Sequence, residues 1–528
     1  MPKVLIADKM SEKAKEIFVE KGLDVDVKTG LDKDELISIA EKYDGIVVRS
    51  STKITEKVLK KASNLKIVGR AGIGVDNIDV DSATENGVVV MNTPFGNAIT
   101  TAEHAIALIL GLMRNLPQAN ISTHEGKWEK SKYMGQEVTG KVLGIIGCGN
   151  IGSIVADRAK GLRMRVLSYD PFLTPERANI LGVKKVELDE LLQKSDIISL
   201  HVPMTEQTKN ILNKDTLKKC KKGVKIINCA RGGLIDEEAL VKAIENGIVD
   251  GAAIDVYEVE PAKESILFGN DKIICTPHLG ASTIEAQENV AIQIAEQMSD
   301  YLIEGAVTNA LNMPSISADE APILSPFVKL AEQLGLFAGQ LMLANFDKIE
   351  IEYVGTISDF NCAPITSAAV AGVLKPSLSD INMVSAPSIA KNKGLTISEV
   401  KRDESSAYES YIKVTLHSKK DNFSIGGTVF SDGNPRIVQI NGINLEAELN
   451  RNMLYVTNKD VPGLIGHLGS ILGDQGINIA SFNLGRNAPL KDAMALIGVD
   501  TEINAKVIEN VKKLDSIVTV NSLIFNIK

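Results

Sequence analysis

Short apolar runs rich in β-branched residues alternate with amphipathic stretches through the N-terminal part of the chain. VLIA (4–7), DGIVVRS (44–50), LKIVG (65–69) and GVVVMN (87–92) read as strands buried on both faces. Helical spacing over 11–21 and 55–62 lies between them, so the layout is βαβ with a parallel sheet. The alternation resumes at KVLGIIG (141–147), RVLSYD (165–170), DIISL (196–200), VKIINCA (224–230) and DGAAIDV (250–256). PSISADEAPILSP (314–326), with three prolines, reads as a boundary. Beyond it the pattern changes to a helix near 327–343 and alternating strands such as YIKVTLHS (411–418) and RIVQING (436–442). From 452 the order strand, helix, strand, strand, helix, strand predicts a ferredoxin-like βαββαβ module.

At 528 residues the chain is several domains long, and 44% hydrophobic with 24% charged residues is ordinary globular composition. Collagenous, disordered and disulfide-framed classes are excluded. Against 67 acidic residues stand 58 basic ones, a net charge of −9 with neither half basic, so no nucleic-acid partner is expected. Any anionic ligand must then be met by locally concentrated cations. The five cysteines are scattered and contain no C-x-x-C, which points to no metal site and to a reducing compartment. The longest apolar run, Ala105–Met113, is too short to span a bilayer, and the start MPKVLIAD is a strand rather than a leader. A cytoplasmic protein with no membrane partner is expected.

GCGNIG (147–152) carries the clearest chemistry. It follows a strand and opens a helix predicted over Ile151–Lys160, and Asp170 ends the next strand. Gly147 would make the tight turn, Gly149 would admit a pyrophosphate, and Gly152 would let helix and strand close on each other. The helix N-terminus favours the phosphate charge. A carboxylate at 170 would bind ribose hydroxyls and repel a 2′-phosphate, which selects NAD over NADP. Three clusters follow strand ends: NCARGG (228–233) with Arg231, DVYEVEP (255–261) with Asp255 and Glu260, and TPHLGAST (276–283) with His278. Strand carboxyl ends converge on the ligand crevice of an open α/β sheet. Alcohol oxidation wants a base near neutrality, a carboxylate to hold its tautomer, and a guanidinium to clamp a substrate carboxylate. Glu103 and His104, at the start of the predicted helix 103–113, read as packing or capping groups.

These motifs, together with GRAGIGVDNID (69–79), NTPFGN (92–97) and HVPMTEQT (201–208), resemble the D-isomer-specific 2-hydroxyacid dehydrogenases. Within that superfamily the resemblance is to the long-form D-3-phosphoglycerate dehydrogenases. It implies an α/β fold of two doubly wound Rossmann-like lobes, an α+β intervening domain and an ACT domain. The implied divisions are 1–95 with 283–312 for substrate, 96–282 for NAD, 315–447 for the intervening domain and 452–528 for ACT. His278 would be the acid/base, Glu260 its partner and Arg231 the substrate clamp. Gly147, Gly149, Asn150, Ile151, Gly152, Asp170, Cys229, Asp255 and His278 would line the dinucleotide, with Asp255 at the nicotinamide carboxamide. Arg49 and Ser50 in RSSTKI, with Arg70 and Gly72, would meet the substrate anions. Lys130, in WEK where relatives have WER, would reach across a subunit contact beside Trp128.

In the tail, LNRNMLYVTNKDVPGLIGHLGSILGDQGINIASFNLGR (449–486) resembles the ACT module that binds amino acids. Asn458, Asp460 and Asn478 would hold the effector, expected to be L-serine, at an interface between two modules. The alternative for this module is assembly alone. The resemblance implies oxidation of 3-phosphoglycerate to 3-phosphohydroxypyruvate, the entry to serine synthesis, by an allosteric homotetramer. Two alternatives stay open on sequence: a glyoxylate, hydroxypyruvate or D-lactate-type reductase, and an NAD-sensing corepressor-like scaffold.

Overall fold

The structure, a computed structural model, describes all residues except 317–319, 344–345, 379–380, 403–406, 420, 489–491 and 526–528. The first β-branched runs form a parallel sheet of β1 (Lys3–Ile6), β2 (Asp24–Val27), β3 (Gly45–Val48), β4 (Ile67–Arg70) and β5 (Val89–Asn92), in the order β2-β1-β3-β4-β5. Its central strands are buried, while β2, a DVDV edge, is not and has no apolar run to announce it. The helix Ile284–Glu304 comes late in the chain yet covers this sheet: Val290, Ile294 and Met298 pack on Val4, Val47, Ile67 and Val89. Gly69 permits that approach, since a Cβ there would lie 2.2 Å from Met298 Sδ.

The second sheet comprises β6 (Val142–Ile146), β7 (Arg165–Tyr169), β8 (Lys184–Lys185), β9 (Ile197–Leu200), β10 (Val224–Asn228), β11 (Val249–Ile254) and β12 (Ile273–Cys275). All pairings are parallel, and the order β12-β11-β10-β9-β6-β7-β8 reverses direction between β6 and β9. Such a switch point opens the crevice in which doubly wound sheets bind ligands. The helix over this sheet begins at Ala98 and not at 103. Its polar opening turn, in which Thr101 Oγ1 bonds back to the Asn97 carbonyl at 3.0 Å, hid the earlier start.

Beyond the two lobes the helix expected near 327–343 begins earlier, inside the proline-containing segment 314–326. A helix runs from Ala321 to Met342 through Pro322 and Pro326. Pro322 sits in the first turn, where a missing N–H costs nothing, and Pro326 removes one interior hydrogen bond. A second helix, Ala363–Leu374, was not foreseen, because it is buried all round and has no polar face to give it a period. The two helices meet through glycines: a Cβ at Gly335 would lie 2.2 Å from the Ala369 carbonyl, and one at Gly372 would lie 2.1 Å from that of Glu332. They lie on a mixed sheet of β13 (Lys348–Gly355), β14 (Thr396–Arg402), β15 (Ser410–His417), β16 (Phe423–Val429), β17 (Pro435–Ile440) and β18 (Ile443–Ala447).

The tail is an antiparallel sheet of β19 (Asn452–Lys459), β20 (Ile479–Arg486), β21 (Asp492–Val499) and β22 (Ile517–Ile524), in the order β20-β21-β19-β22. Helices Leu464–Asp474 and Ala505–Lys512 cover one face, and Met453, Tyr455, Leu496 and Leu523 on the other join the core of the preceding domain. Gln340 closes the open edge of β22 by bonding both the carbonyl (3.1 Å) and the N–H (2.9 Å) of Ile524. Among the described residues, no helix is long and apolar enough to cross a membrane.

Candidate active site

The glycine loop after β6 forms a cradle at the switch point. Gly147 has φ 93°, and a Cβ on it would lie 2.5 Å from the His201 carbonyl, so the turn needs glycine. At Gly152 a Cβ would meet the Gly147 carbonyl at 2.0 Å, whereas Gly149 faces open space. That open space at a helix N-terminus is what a pyrophosphate requires. Asn150 is exposed at the rim, and Ile151 packs beneath it. Asp170 is preset: one carboxylate oxygen accepts the Cys148 N–H at 2.7 Å, the other the Phe172 N–H at 2.8 Å. Burial pushes the His201 ring down to about 4, so it adds no charge to the cradle. The residues present therefore fit a dinucleotide with free ribose hydroxyls.

On the first lobe the chain gathers cations. Asp8 fixes the loop of Arg49, accepting the Arg49 N–H at 2.6 Å and the Thr52 hydroxyl at 2.7 Å. Ser50 is exposed beside it. Arg70, at the end of β4, is half-buried; desolvation together with the neighbouring Arg231 and Arg49 guanidinia lowers its pKa to about 10. Its Nε has no partner and Nη1 reaches only the Ala71 carbonyl at 3.2 Å. Gly72, at φ 143°, leaves room for that guanidinium, where any Cβ would collide with Nη1. Arg231, from the other lobe, joins the group with Nε bonded to Asp76 at 3.1 Å. Three guanidinia with one buried, unpartnered donor suit an anion. Lys130 and Trp128 are exposed on the segment after helix Leu116–His124.

His278 Nδ1 lies 2.6 Å from Glu260 Oε2, and Glu260 Oε1 accepts the Tyr257 N–H at 3.0 Å. Burial would raise the Glu260 carboxyl, but His278 and that amide hold it below its ordinary range. With Nδ1 engaged, Nε2 is the ring atom left for substrate. His278 takes φ 55°, a left-handed conformation that its loop must hold in place.

Asp255 is the residue that holds it. The side chain is fully buried at the end of β11. Oδ1 accepts from the Thr276 hydroxyl (2.6 Å) and the Leu279 N–H (2.7 Å), and Oδ2 from the Gly280 N–H (2.9 Å). His104 Nε2 lies 3.3 Å from Oδ1. Burial would push this carboxyl up, yet the bonds from His104, Thr276 and Leu279 keep it below its usual range. Asp255 thus ties the His278 loop on both sides of His278. His104 is no mere packing group, contrary to the reading from sequence. The missed signal was an ionisable pair in an otherwise apolar helix. Cys229 is buried beside both, with Sγ, His104 N and Asp255 O within 4.8 Å of one another, and burial raises its thiol so that it stays protonated.

The effector candidates divide between the two ends of the tail sheet: Asn458 and Asp460 lie at the end of β19 beside Arg486, and Asn478 lies before β20 at the opposite end. Asn458 on β19 is 2% exposed; its Nδ2 bonds the Lys459 carbonyl at 2.8 Å and its buried Oδ1 has no partner. Asp460 meets Arg486 at 3.2 Å, and Asn478 bonds Asp500 at 2.7 Å.

Two parallel sheets, a dinucleotide cradle, a Glu–His pair and clustered arginines define the class as an NAD-dependent 2-hydroxyacid dehydrogenase. Comparison agrees: residues 106–280 match the NAD binding domain of the D-isomer specific 2-hydroxyacid dehydrogenases. Residues 323–441 match the D-3-phosphoglycerate dehydrogenase intervening domain, and 452–516 the ACT domain. The chain is 42% identical over 523 residues to the D-3-phosphoglycerate dehydrogenase of Bacillus subtilis, covering 98% of this chain and 99% of that protein. It is 43% identical over 521 residues to that of Archaeoglobus fulgidus, covering 98% of each. A solved glyoxylate reductase from Paecilomyes thermophila matches with TM-score 0.55 and 30% identity, over 59% of this chain and 98% of that one. The chain belongs to the D-3-phosphoglycerate dehydrogenase family.

Two outcomes follow from this geometry. Asp170→Ala removes the preset ribose acceptor, so the Kd for NAD should rise about tenfold or more, as a charge-assisted hydrogen bond is lost. Discrimination against NADP should shrink with it, both read by NADH and NADPH fluorescence titration. The second outcome concerns acid. The folded Asp255 carboxyl lies below its unfolded value of about 3.9, so its stabilisation is complete above that value and is lost as pH falls through the folded one. The Tm difference between wild type and Asp255→Asn should hold steady from about pH 7 to 5 and shrink below about pH 4, by calorimetry.

Proposed function

We propose that this chain oxidises 3-phosphoglycerate to 3-phosphohydroxypyruvate with NAD, the first step of L-serine biosynthesis. The observation that carries the reading is the buried, unpartnered Nε of Arg70, flanked by Arg49 and Arg231. A substrate bearing both a phosphate and a carboxylate neutralises such a cluster, and fork-shaped guanidinia suit both groups. The names of the full-length relatives support the same substrate.

In this reading 1–95 with 283–312 binds substrate and 96–282 binds the dinucleotide. Arg231 clamps the carboxylate, while Arg49, Ser50, Arg70 and the Gly72 loop take the phosphate end. Glu260 fixes the His278 tautomer, so the Nε2 lone pair accepts the C2 hydroxyl proton, and the carboxylate then stabilises the imidazolium. When bound, NAD supplies the acceptor for the hydride leaving C2. Closing of the lobes excludes water from the charges. Domains 315–447 and 452–528 serve assembly, as a homotetramer, and control. L-serine is the proposed effector, held by Asn458, Asp460 and Asn478 at an interface between two ACT modules, with the unpartnered Asn458 Oδ1 as the observation in favour.

NADH formation tests this directly. kcat/KM for 3-phosphoglycerate should exceed that for unphosphorylated glycerate by about a hundredfold or more, because the latter leaves buried donors unpaired. His278→Ala should lower kcat by about a thousandfold while NADH affinity stays near wild type. Equal kcat/KM for the two acids, or near-normal turnover in the variant, would contradict the assignment.

A further inference from the structure

His104 stands on the helix Ala98–Met113, whose other inward residues are apolar apart from Thr101, with its ring mostly buried. Its Nε2 faces Asp255 Oδ1 at 3.3 Å and Thr276 Oγ1 at 3.5 Å. A carboxylate only accepts hydrogen bonds, so Nε2 carries the hydrogen. Among the described residues, no lysine or arginine forms an ion pair with Asp255, and Cys229, Glu260 and Tyr257 are its other titratable neighbours. A fully buried carboxylate therefore depends on His104 and three donors of the His278 loop. Two of those donors are the backbone N–H groups directly after His278, and the third, Thr276, lies two residues before it. The catalytic loop is thus tied to one carboxylate on both sides of a residue in a left-handed conformation.

Resting on the dehydrogenase reading above, we propose that His104 is a positioning residue: by holding Asp255 in place it sets the loop 276–280 and the aim of His278. It touches neither Glu260 nor the arginine cluster in the described hydrogen bonds and ion pairs, so its influence runs through Asp255. Without it the buried carboxylate must recruit water or a proton, and its grip on Leu279 and Gly280 slackens. Misplacement of a base by an ångström is enough to cost about a hundredfold in rate.

The test compares His104→Gln, which keeps an N–H donor near the Nε2 position, with His104→Leu, which fills the space without a donor. At saturating NAD the leucine variant should lose about 10- to 100-fold in kcat. KM for both substrates should stay within about threefold and Tm near wild type, since substrate and cofactor contacts are untouched. Glutamine should restore kcat to within about fivefold of wild type. Hydrogen exchange of the apo protein gives a second readout: the peptide spanning 276–283 should lose protection in the leucine variant and keep it in the glutamine one. If leucine fails to fold, His104→Asn, polar but too short, takes its place in the same comparison. A leucine variant with wild-type kcat and protection, or equal losses in all variants, would overturn the proposal. The assay uses whichever 2-hydroxy acid the wild type oxidises fastest, so an error in the substrate assignment changes only the acid. Absence of oxidation by the wild type with any acid would defeat the functional reading and this proposal together.

Discussion

Everything at the candidate centre hangs on the burial of one carboxylate. Asp255 is wholly removed from water at the end of β11, where an uncompensated charge is untenable, so the surroundings must supply donors. They come from Thr276, Leu279, Gly280 and His104. The need to satisfy that charge shapes the loop that presents His278 to Glu260. A left-handed backbone at 278 is kept because the neighbouring amides have nowhere else to bond.

The second requirement is positive charge against an acidic background. A net charge of −9 says nothing about the ligand, because Arg49, Arg70 and Arg231 concentrate cations at one place. Arg231 and Asp76 belong to different lobes, so their 3.1 Å ion pair links the two sides of the cleft. The rest of the chain is attached to the same lobe: Asn382 donates to the Gly87 carbonyl at 2.9 Å and Val384 enters the first sheet's core. The tail sheet shares a core with the helix Ala321–Met342, with Phe337 and Tyr455 ring centres 5.5 Å apart. A packed route therefore runs from the ACT domain to the arginine loop.

Local chemistry was legible in the sequence and non-local chemistry was not. GCGNIG with Asp170 names its own geometry, because turn, helix start and carboxylate lie on neighbouring segments. The Glu260–His278 pair was readable because both residues end adjacent strands of one sheet. His104 escaped, since its partner lies 151 residues away and an apolar helix gives no hint of which face meets a carboxylate. The helix Ala363–Leu374 escaped for want of a polar face, and the start at Ala321 was masked by prolines tolerated in a first turn. The pairing of Arg231 with Asp76 depends on how two lobes meet, which no periodicity records.

On this reading the Asp255 network aims the base before substrate arrives. A crystal structure of the protein with NAD and 3-phosphohydroxypyruvate tests this most directly. Asp255 should keep its bonds to Thr276, Leu279 and Gly280, with His278 Nε2 about 3 Å from the C2 oxygen and the arginines on the anions. A loop rebuilt around Asp255, or an imidazole turned away from that oxygen, would contradict it.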